Sequence, residues 1–186
     1  MRRVLVIVLC IIFLTSCAPD QDALDVAQRL RDNILNAQGC SFTAKISADY
    51  GEEVHSFTMV CNFDKSGNLS FTVSEPESIS GITGKIDNKE SALTFDDNVL
   101  MFELLADDQI TPVSAPWLLM KTICGGYISA CSSNEDGYCI EYDDSFKGEP
   151  LLVQLQMNQQ EVISYGEFIW EGRRILSVQI LNFKLL

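Results

Sequence analysis

Phe42-Thr43-Ala44-Lys45-Ile46-Ser47-Ala48-Asp49 and, after Tyr50-Gly51-Glu52-Glu53, Ser56-Phe57-Thr58-Met59-Val60-Cys61-Asn62-Phe63 decide the fold class. In the first run Phe42, Ala44, Ile46 and Ala48 alternate with Thr43, Lys45, Ser47 and Asp49. A period of two puts the apolar set on one face of a strand and the polar set on the other. The second run repeats the pattern, with Phe57, Met59, Cys61 and Phe63 set against Ser56, Thr58 and Asn62. Two such runs joined by a short polar turn predict an antiparallel hairpin with one buried face.

The alternation extends along the chain. Asp64-Lys65-Ser66-Gly67-Asn68 is a turn, and Leu69, Phe71 and Val73 continue the apolar face. Further strands are expected near Ile79 to Ile86, Ala92 to Phe95 and Val99 to Leu104, then near Tyr127 to Cys131, Tyr138 to Tyr142, Leu151 to Met157, Val162 to Trp170 and Arg174 to Phe183. Val99-Leu100-Met101-Phe102 is apolar on both faces, which suits a strand covered on both sides.

Two stretches read as helix. From Asp22 to Asn36, Ala23, Val26, Ala27, Leu30, Ile34 and Leu35 recur at steps of three and four, and Gly39 offers a C-cap. Ser114-Ala115-Pro116-Trp117 starts a short helix, with Ser114 as N-cap and Pro116 in its first turn, and Gly125-Gly126 ends it. An antiparallel sheet of about ten strands tends to curl. The expected class is α+β, a strongly curved antiparallel sheet or half-open β-barrel covered by the N-terminal helix and the short mid-chain helix.

The N-terminal residues carry a different signal. Arg2 and Arg3 precede an unbroken apolar stretch of eleven residues, Val4 to Leu14. That length suits a signal peptide and falls short of the roughly 20 residues a transmembrane helix needs. Leu14-Thr15-Ser16-Cys17 follows it and resembles the lipobox of bacterial lipoproteins. The resemblance implies cleavage after residue 16 and diacylglycerol on Cys17, hence an extracytoplasmic protein anchored to the membrane by lipid. The expected organisation is a leader over residues 1–16, a lipidated cysteine and tether over 17–21, and one domain over 22–186.

Charge narrows the partners. The chain has 13 basic and 26 acidic side chains; losing Arg2 and Arg3 with the leader leaves 11 against 26, a net charge of −15. Such a surface excludes nucleic acid and a polybasic hold on anionic lipid, so attachment would rest on the acyl chains. A tether of five residues reaches only about 20 Å, which keeps the domain near the membrane.

The order helix, several strands, short helix, further strands resembles the LolA/LolB/LppX group of lipoprotein and lipid carriers. Gly67-Asn68-Leu69 and Pro76 to Gly84 are the most suggestive local stretches. The resemblance implies a half-open barrel with a helical lid over an apolar cavity that takes lipid, an acyl chain or a lipoprotein. Candidate lining residues are Phe57, Met59, Phe71, Phe102, Trp117, Leu118, Met120, Phe168 and Trp170. Aromatic and methionine side chains at this spacing equally form ordinary core, and a surface-anchored structural or interaction lipoprotein with a filled core and no ligand is the alternative.

Enzymatic chemistry is not indicated, and no cofactor or metal is expected. His55 is the one histidine, and there is no nucleophile elbow, phosphate loop or dinucleotide fingerprint. Asp96-Asp97, Asp107-Asp108, Glu135-Asp136 and Asp143-Asp144 are placed at turns, where Asp is favoured for local hydrogen bonding. Beyond the leader and Cys17, five cysteines remain, so at least one is unpaired within the chain. Cys40 and Cys61 fall almost opposite each other across the first hairpin, and Cys131 and Cys139 across a later one; both pairs are disulfide candidates, against the reading of small apolar residues.

Overall fold

The structure, a computed structural model, describes residues 20–87, 92–95, 106, 110–146 and 149–186. The leader, Cys17 and the residues up to 19, and the expected strand Val99 to Leu104 with Phe102, lie outside the described residues.

Helix α1 spans Gln21–Asn36. Asp20 caps it, its Oδ1 accepting from the backbone N–H of Asp22 at 3.1 Å and of Ala23 at 3.3 Å. The apolar stripe buries Ala23, Val26, Ala27, Leu30 and Ile34. Gly39 is not its C-cap, since the helix ends through Ala37. Gly39 opens strand β1 instead, at φ +156°, where a β-carbon would lie 2.4 Å from the Phe63 carbonyl oxygen. Only glycine allows the neighbouring strand so near.

Five strands follow: β1 Gly39–Asp49, β2 Val54–Asp64, β3 Leu69–Glu75, β4 Thr83–Asp87 and β5 Ala92–Phe95. The expected strand from Ile79 begins later, because Glu77–Ile79 forms a 3₁₀ turn. A second 3₁₀ turn, Pro112–Ser114, leads into helix α2, Ala115–Gly125. Ser114 does not cap α2 through its side chain; it sits in that turn with its hydroxyl donating to the Thr111 carbonyl at 2.7 Å. Strands β6 Tyr127–Asn134, β7 Gly137–Phe146, β8 Glu149–Asn158, β9 Ile163–Trp170 and β10 Arg173–Leu185 complete the chain.

All ten strands form one antiparallel sheet in the order β5-β4-β3-β2-β1-β10-β9-β8-β7-β6. Two meanders therefore meet at a central seam where β1 pairs with β10, Ala44 opposite Ile180 and Ile46 opposite Val178. Among the described residues the order ends at β5 on one side and β6 on the other, so the sheet is curved and open rather than a closed barrel.

The alternation of the sequence becomes one buried face. Ile46, Val178, Gly166, Leu155 and Ile140 form a continuous cross-strand row beneath the helices. Burial runs from Ile86 on β4 to Tyr142 on β7. Laid flat at about 4.8 Å per strand, ten strands span about 43 Å, whereas two helices side by side cover about 20 Å. Yet α1 touches β1, β6 and β7, and α2 touches β2, β7 and β10. The sheet curls around the helix pair, and eight of the 11 residues of α2 are buried by that enclosure.

Candidate functional site

At one end of this sandwich four chain segments leave an open cleft of about 310 Å³. Ile34 and Leu35 come from the last turn of α1, Gly39 from the start of β1, Phe63 to Gly67 from the end of β2 and its turn, and Lys121, Cys124 and Gly125 from the end of α2. Ile34 is buried, whereas Leu35 is 51% exposed.

Hydrogen bonds fix these segments relative to one another. Trp117 Nε1 of α2 donates to the Gly67 carbonyl at 3.0 Å, and the Lys65 backbone N–H donates to the Gln38 carbonyl at 3.1 Å. Arg31 joins the helices, donating from Nε to the Ile123 carbonyl at 2.7 Å and from Nη2 to the Gly126 carbonyl at 2.5 Å. Those carbonyls end α2, where orphan acceptors and the partial negative charge of the helix collect, so a guanidinium there satisfies both.

The Asp64 side chain builds the turn. Its Oδ1 accepts from the N–H groups of Ser66 at 2.8 Å and Asn68 at 3.0 Å, and its Oδ2 accepts from Asn68 Nδ2 at 2.9 Å. Desolvation opposes ionisation of Asp64, but the hydrogen bonds from Asn68 and Ser66 outweigh it and hold its carboxyl below the usual range. Lys121 Nζ lies 5.5 Å from the centre of the Trp117 ring. Burial pushes the Cys124 thiol up despite the nearby Arg31 charge, so Cys124 is a poor nucleophile. The cleft is therefore an apolar floor with a polar, lysine-bearing rim.

The residues nominated from sequence lie elsewhere in the same core. Phe57, Met59 and Phe71 on β2 and β3, Trp117, Leu118 and Met120 on α2, and Phe168 and Trp170 on β9 belong to one buried cluster, each 8% exposed or less. None of them lines the cleft, and Phe102 lies outside the described residues. The cleft residues Phe63, Lys65, Lys121 and Cys124 carry no local sequence signal, because four separated segments converge to make the site. Leu35, at the edge of the α1 stripe, is the one hint.

The cysteine register differs from the expectation. Cys40 is opposite Phe63 and Cys61 opposite Phe42, so the two are diagonal neighbours on one face, and both are free thiols. Cys131 is opposite Ile140, and Cys139 opposite Ser132. That offset of one residue sends their side chains to opposite faces, and both are free. Burial pushes the Cys40 thiol up to about 12 and the Cys61 thiol higher still.

His55 is exposed on β2, its Nε2 3.2 Å from a Glu53 carboxylate oxygen and its ring edge-on to Tyr50. Glu135-Asp136 occupies the β6–β7 turn as expected. Asp143-Asp144 instead lies within β7, where Asp144 Oδ2 accepts from the Thr122 hydroxyl of α2 at 2.7 Å. The two other acidic pairs lie outside the described residues. Among the described residues, no three His, Cys, Asp or Glu side chains gather as metal ligands, and no helix is long and apolar enough to cross a membrane.

No protein-family model matches the chain, and no curated protein matches it in sequence. Among solved structures it is similar to an uncharacterized conserved protein from Thermus thermophilus, at 12% identity and TM-score 0.45 over 89% of this chain and 88% of that one. It is also similar to a LolA superfamily protein from Nitrosomonas europaea, at 12% identity and TM-score 0.42 over 88% and 93% of the two chains. A DUF1329 family protein from Desulfovibrio piger matches at 10% identity and TM-score 0.40, over 90% and 93%.

Proposed function

We propose that this chain is an extracytoplasmic lipoprotein, anchored to the membrane through diacylglycerol on Cys17, that binds an acyl chain or similar hydrophobic ligand where the curved sheet meets its two helices. The observation that carries the binding reading is the cleft of about 310 Å³. Its volume lies at the lower end of the roughly 300–1,000 Å³ of small-ligand sites. Ile34, Leu35 and Phe63 give its floor the apolar surface such a ligand needs.

The anchor and the cleft belong to opposite ends of α1. The 16 residues of α1 make it about 24 Å long. Cys17 precedes its N-cap Asp20 by three residues, while the cleft begins at Ile34. A ligand site so placed is set apart from the point of attachment, which suits a tethered receiver or holder of lipid.

One observation favours the alternative of a ligand-free structural lipoprotein: eight nominated lining residues already fill one another's space in the core. Two experiments decide. Cys17→Ser removes acylation and releases the protein from the membrane fraction; retention there with unchanged mobility sinks the anchoring claim. Native mass spectrometry of the full chain from membranes retains a bound lipid if the binding reading holds. A clean unliganded mass, with no uptake of a fluorescent acyl probe, supports the structural alternative.

A further inference from the structure

The rim of the cleft runs against the charge of the rest of the chain, in which acidic side chains outnumber basic ones 26 to 13. Two lysines line this one opening, Lys65 from the β2–β3 turn and Lys121 from α2. Arg29, Arg173 and Arg174 each lie within ion-pair distance of a carboxylate, whereas neither of these lysines forms an ion pair among the described residues. Two sources of negative potential at the opening already have partners, although the Asp64 carboxylate keeps its charge. The Asp64 carboxylate is turned into its own loop by three N–H donors. The carbonyl end of α2 is capped by the Arg31 guanidinium.

We propose that the cleft selects a single-chain anionic amphiphile, an acyl tail lying on Ile34, Leu35 and Phe63 with its negatively charged head between Lys65 and Lys121. This rests on the acyl-binding reading above and specifies its ligand class. Size favours few tails: about 310 Å³ is at the small end of ligand sites and suits one chain better than the several of a multiply acylated anchor. Charge sets the head, because a carboxylate or phosphate in that position gains charge-assisted hydrogen bonds from two ammonium groups that a neutral head cannot form. Carboxylate and phosphate share this chemistry.

Photoactivatable probes with one C16 tail and different heads test it: diazirine-bearing palmitic acid, its methyl ester, and the corresponding alkyl phosphate. Each is crosslinked to the full chain extracted in non-ionic detergent, and the labelled peptides are mapped by mass spectrometry. Labelling at Ile34-Leu35, Phe63 or Cys124 should be about tenfold greater for the acid, the phosphate or both than for the ester. Which head labels identifies the source. Lys65→Gln with Lys121→Gln should remove that preference, bringing acid, phosphate and ester labelling level with one another, and Lys45→Gln, outside the cleft, should leave all labelling as it was. Equal labelling by all three probes in the unaltered chain, or a preference that survives the double lysine change, overturns the anionic-head assignment and leaves the acyl-binding reading standing. No labelling of the cleft by any probe overturns both.

Discussion

Gly166 of β9 lies so near Leu119 of α2 that a β-carbon at position 166 would stand 2.8 Å from Leu119 Cδ1 and 3.0 Å from Cδ2. Gly166 is the missing side chain in the row between Val178 and Leu155, and the fully buried Leu119 occupies the space it leaves. Gly166→Ala should therefore destabilise the protein by about 1–3 kcal/mol through overpacking. Leu119→Ala alone should cost about 2–5 kcal/mol. Combined, the two should cost clearly less than their sum, because the smaller residue makes room for the added methyl. Urea denaturation of the four proteins in this cycle checks the contact; a neutral Gly166→Ala, or strict additivity, contradicts it.

Asp20 links the start of α1 to edge strand β6. Besides capping the helix, its Oδ2 accepts from the Ser133 hydroxyl and from the Ser133 N–H. The hydrogen bond from the Ser133 side chain, then that from the Ala23 N–H, with smaller contributions from the N–H groups of Ser133 and Asp22, hold its carboxyl below 3.8 against slight desolvation. A folded pKa below the unfolded one means that the unfolded state binds more protons in that window, so stability rises with pH there. The Asp20 contribution is present above about pH 4 and is lost as pH falls through its folded value. Asp20→Ala should lower the melting temperature at pH 6 and make the difference from the parent protein shrink below pH 4. A difference that stays constant down to pH 2 would show that the carboxylate charge is not what the contact uses.

Period two made the strands legible, and period 3.6 made α1 legible, because both follow from burying one face of a repeating backbone. Ala44, Met59 and Val73 lie side by side on the buried face as their alternation requires. The pairing of the first strand with the last was not legible. Nothing in the alternation of Phe42 to Ala48 distinguishes Leu176 to Ile180 from any other apolar strand face. The roles of Gly39 and Gly166 depend on what approaches them from across the sheet or from a helix, and Asp144 within β7 depends on Thr122 of α2. The cleft was hidden for the same reason: Leu35, Phe63, Lys65 and Lys121 become one site only after the turn, the seam and both helices have assembled.

The cysteines offer a chemical map of this arrangement. Diagonal neighbours such as Cys40 and Cys61 stand roughly 7–8 Å apart, beyond the roughly 4.4–6.8 Å between α-carbons that a disulfide needs. Both should persist as thiols and resist iodoacetamide at pH 8 until the protein unfolds, since they are buried and burial keeps them protonated. Cys124 lines the cleft and is only partly buried, so it should react measurably faster. Palmitate should slow that reaction at Cys124 and leave Cys131 and Cys139 unaffected. Mass mapping of the alkylated peptides reads all five sites; a Cys40–Cys61 disulfide peptide contradicts the register, and palmitate protection at every site alike contradicts a local effect.

Tyr142 of β7 is fully buried, and among the described residues its hydroxyl has no hydrogen-bond partner. The Arg31 guanidinium lies 5.9 Å from the ring centre, with two of its nitrogens already committed to the end of α2. A buried hydroxyl without a partner forfeits its hydration with nothing in return, a cost of about 1–3 kcal/mol. Phenylalanine keeps the ring, its volume and the face presented to Arg31, and removes only the hydroxyl. Tyr142→Phe should therefore raise stability, by about 1 kcal/mol once lost dispersion contacts are set against the desolvation gained. The alkaline limb gives an independent reading. Burial pushes the Tyr142 phenol well above 10, with the Arg31 charge opposing, so above pH 10 the unfolded state releases a proton that the folded state retains. Stability from Tyr142 is thus intact below pH 10 and falls as pH rises beyond it. The advantage of Tyr142→Phe should widen between pH 9 and pH 11, a comparison in which the buried cysteines cancel because both proteins carry them. If Tyr142→Phe instead loses 1 kcal/mol or more at pH 7, the hydroxyl is bonded to a buried water, and the space between Arg31, Cys124 and the ring is hydrated rather than dry.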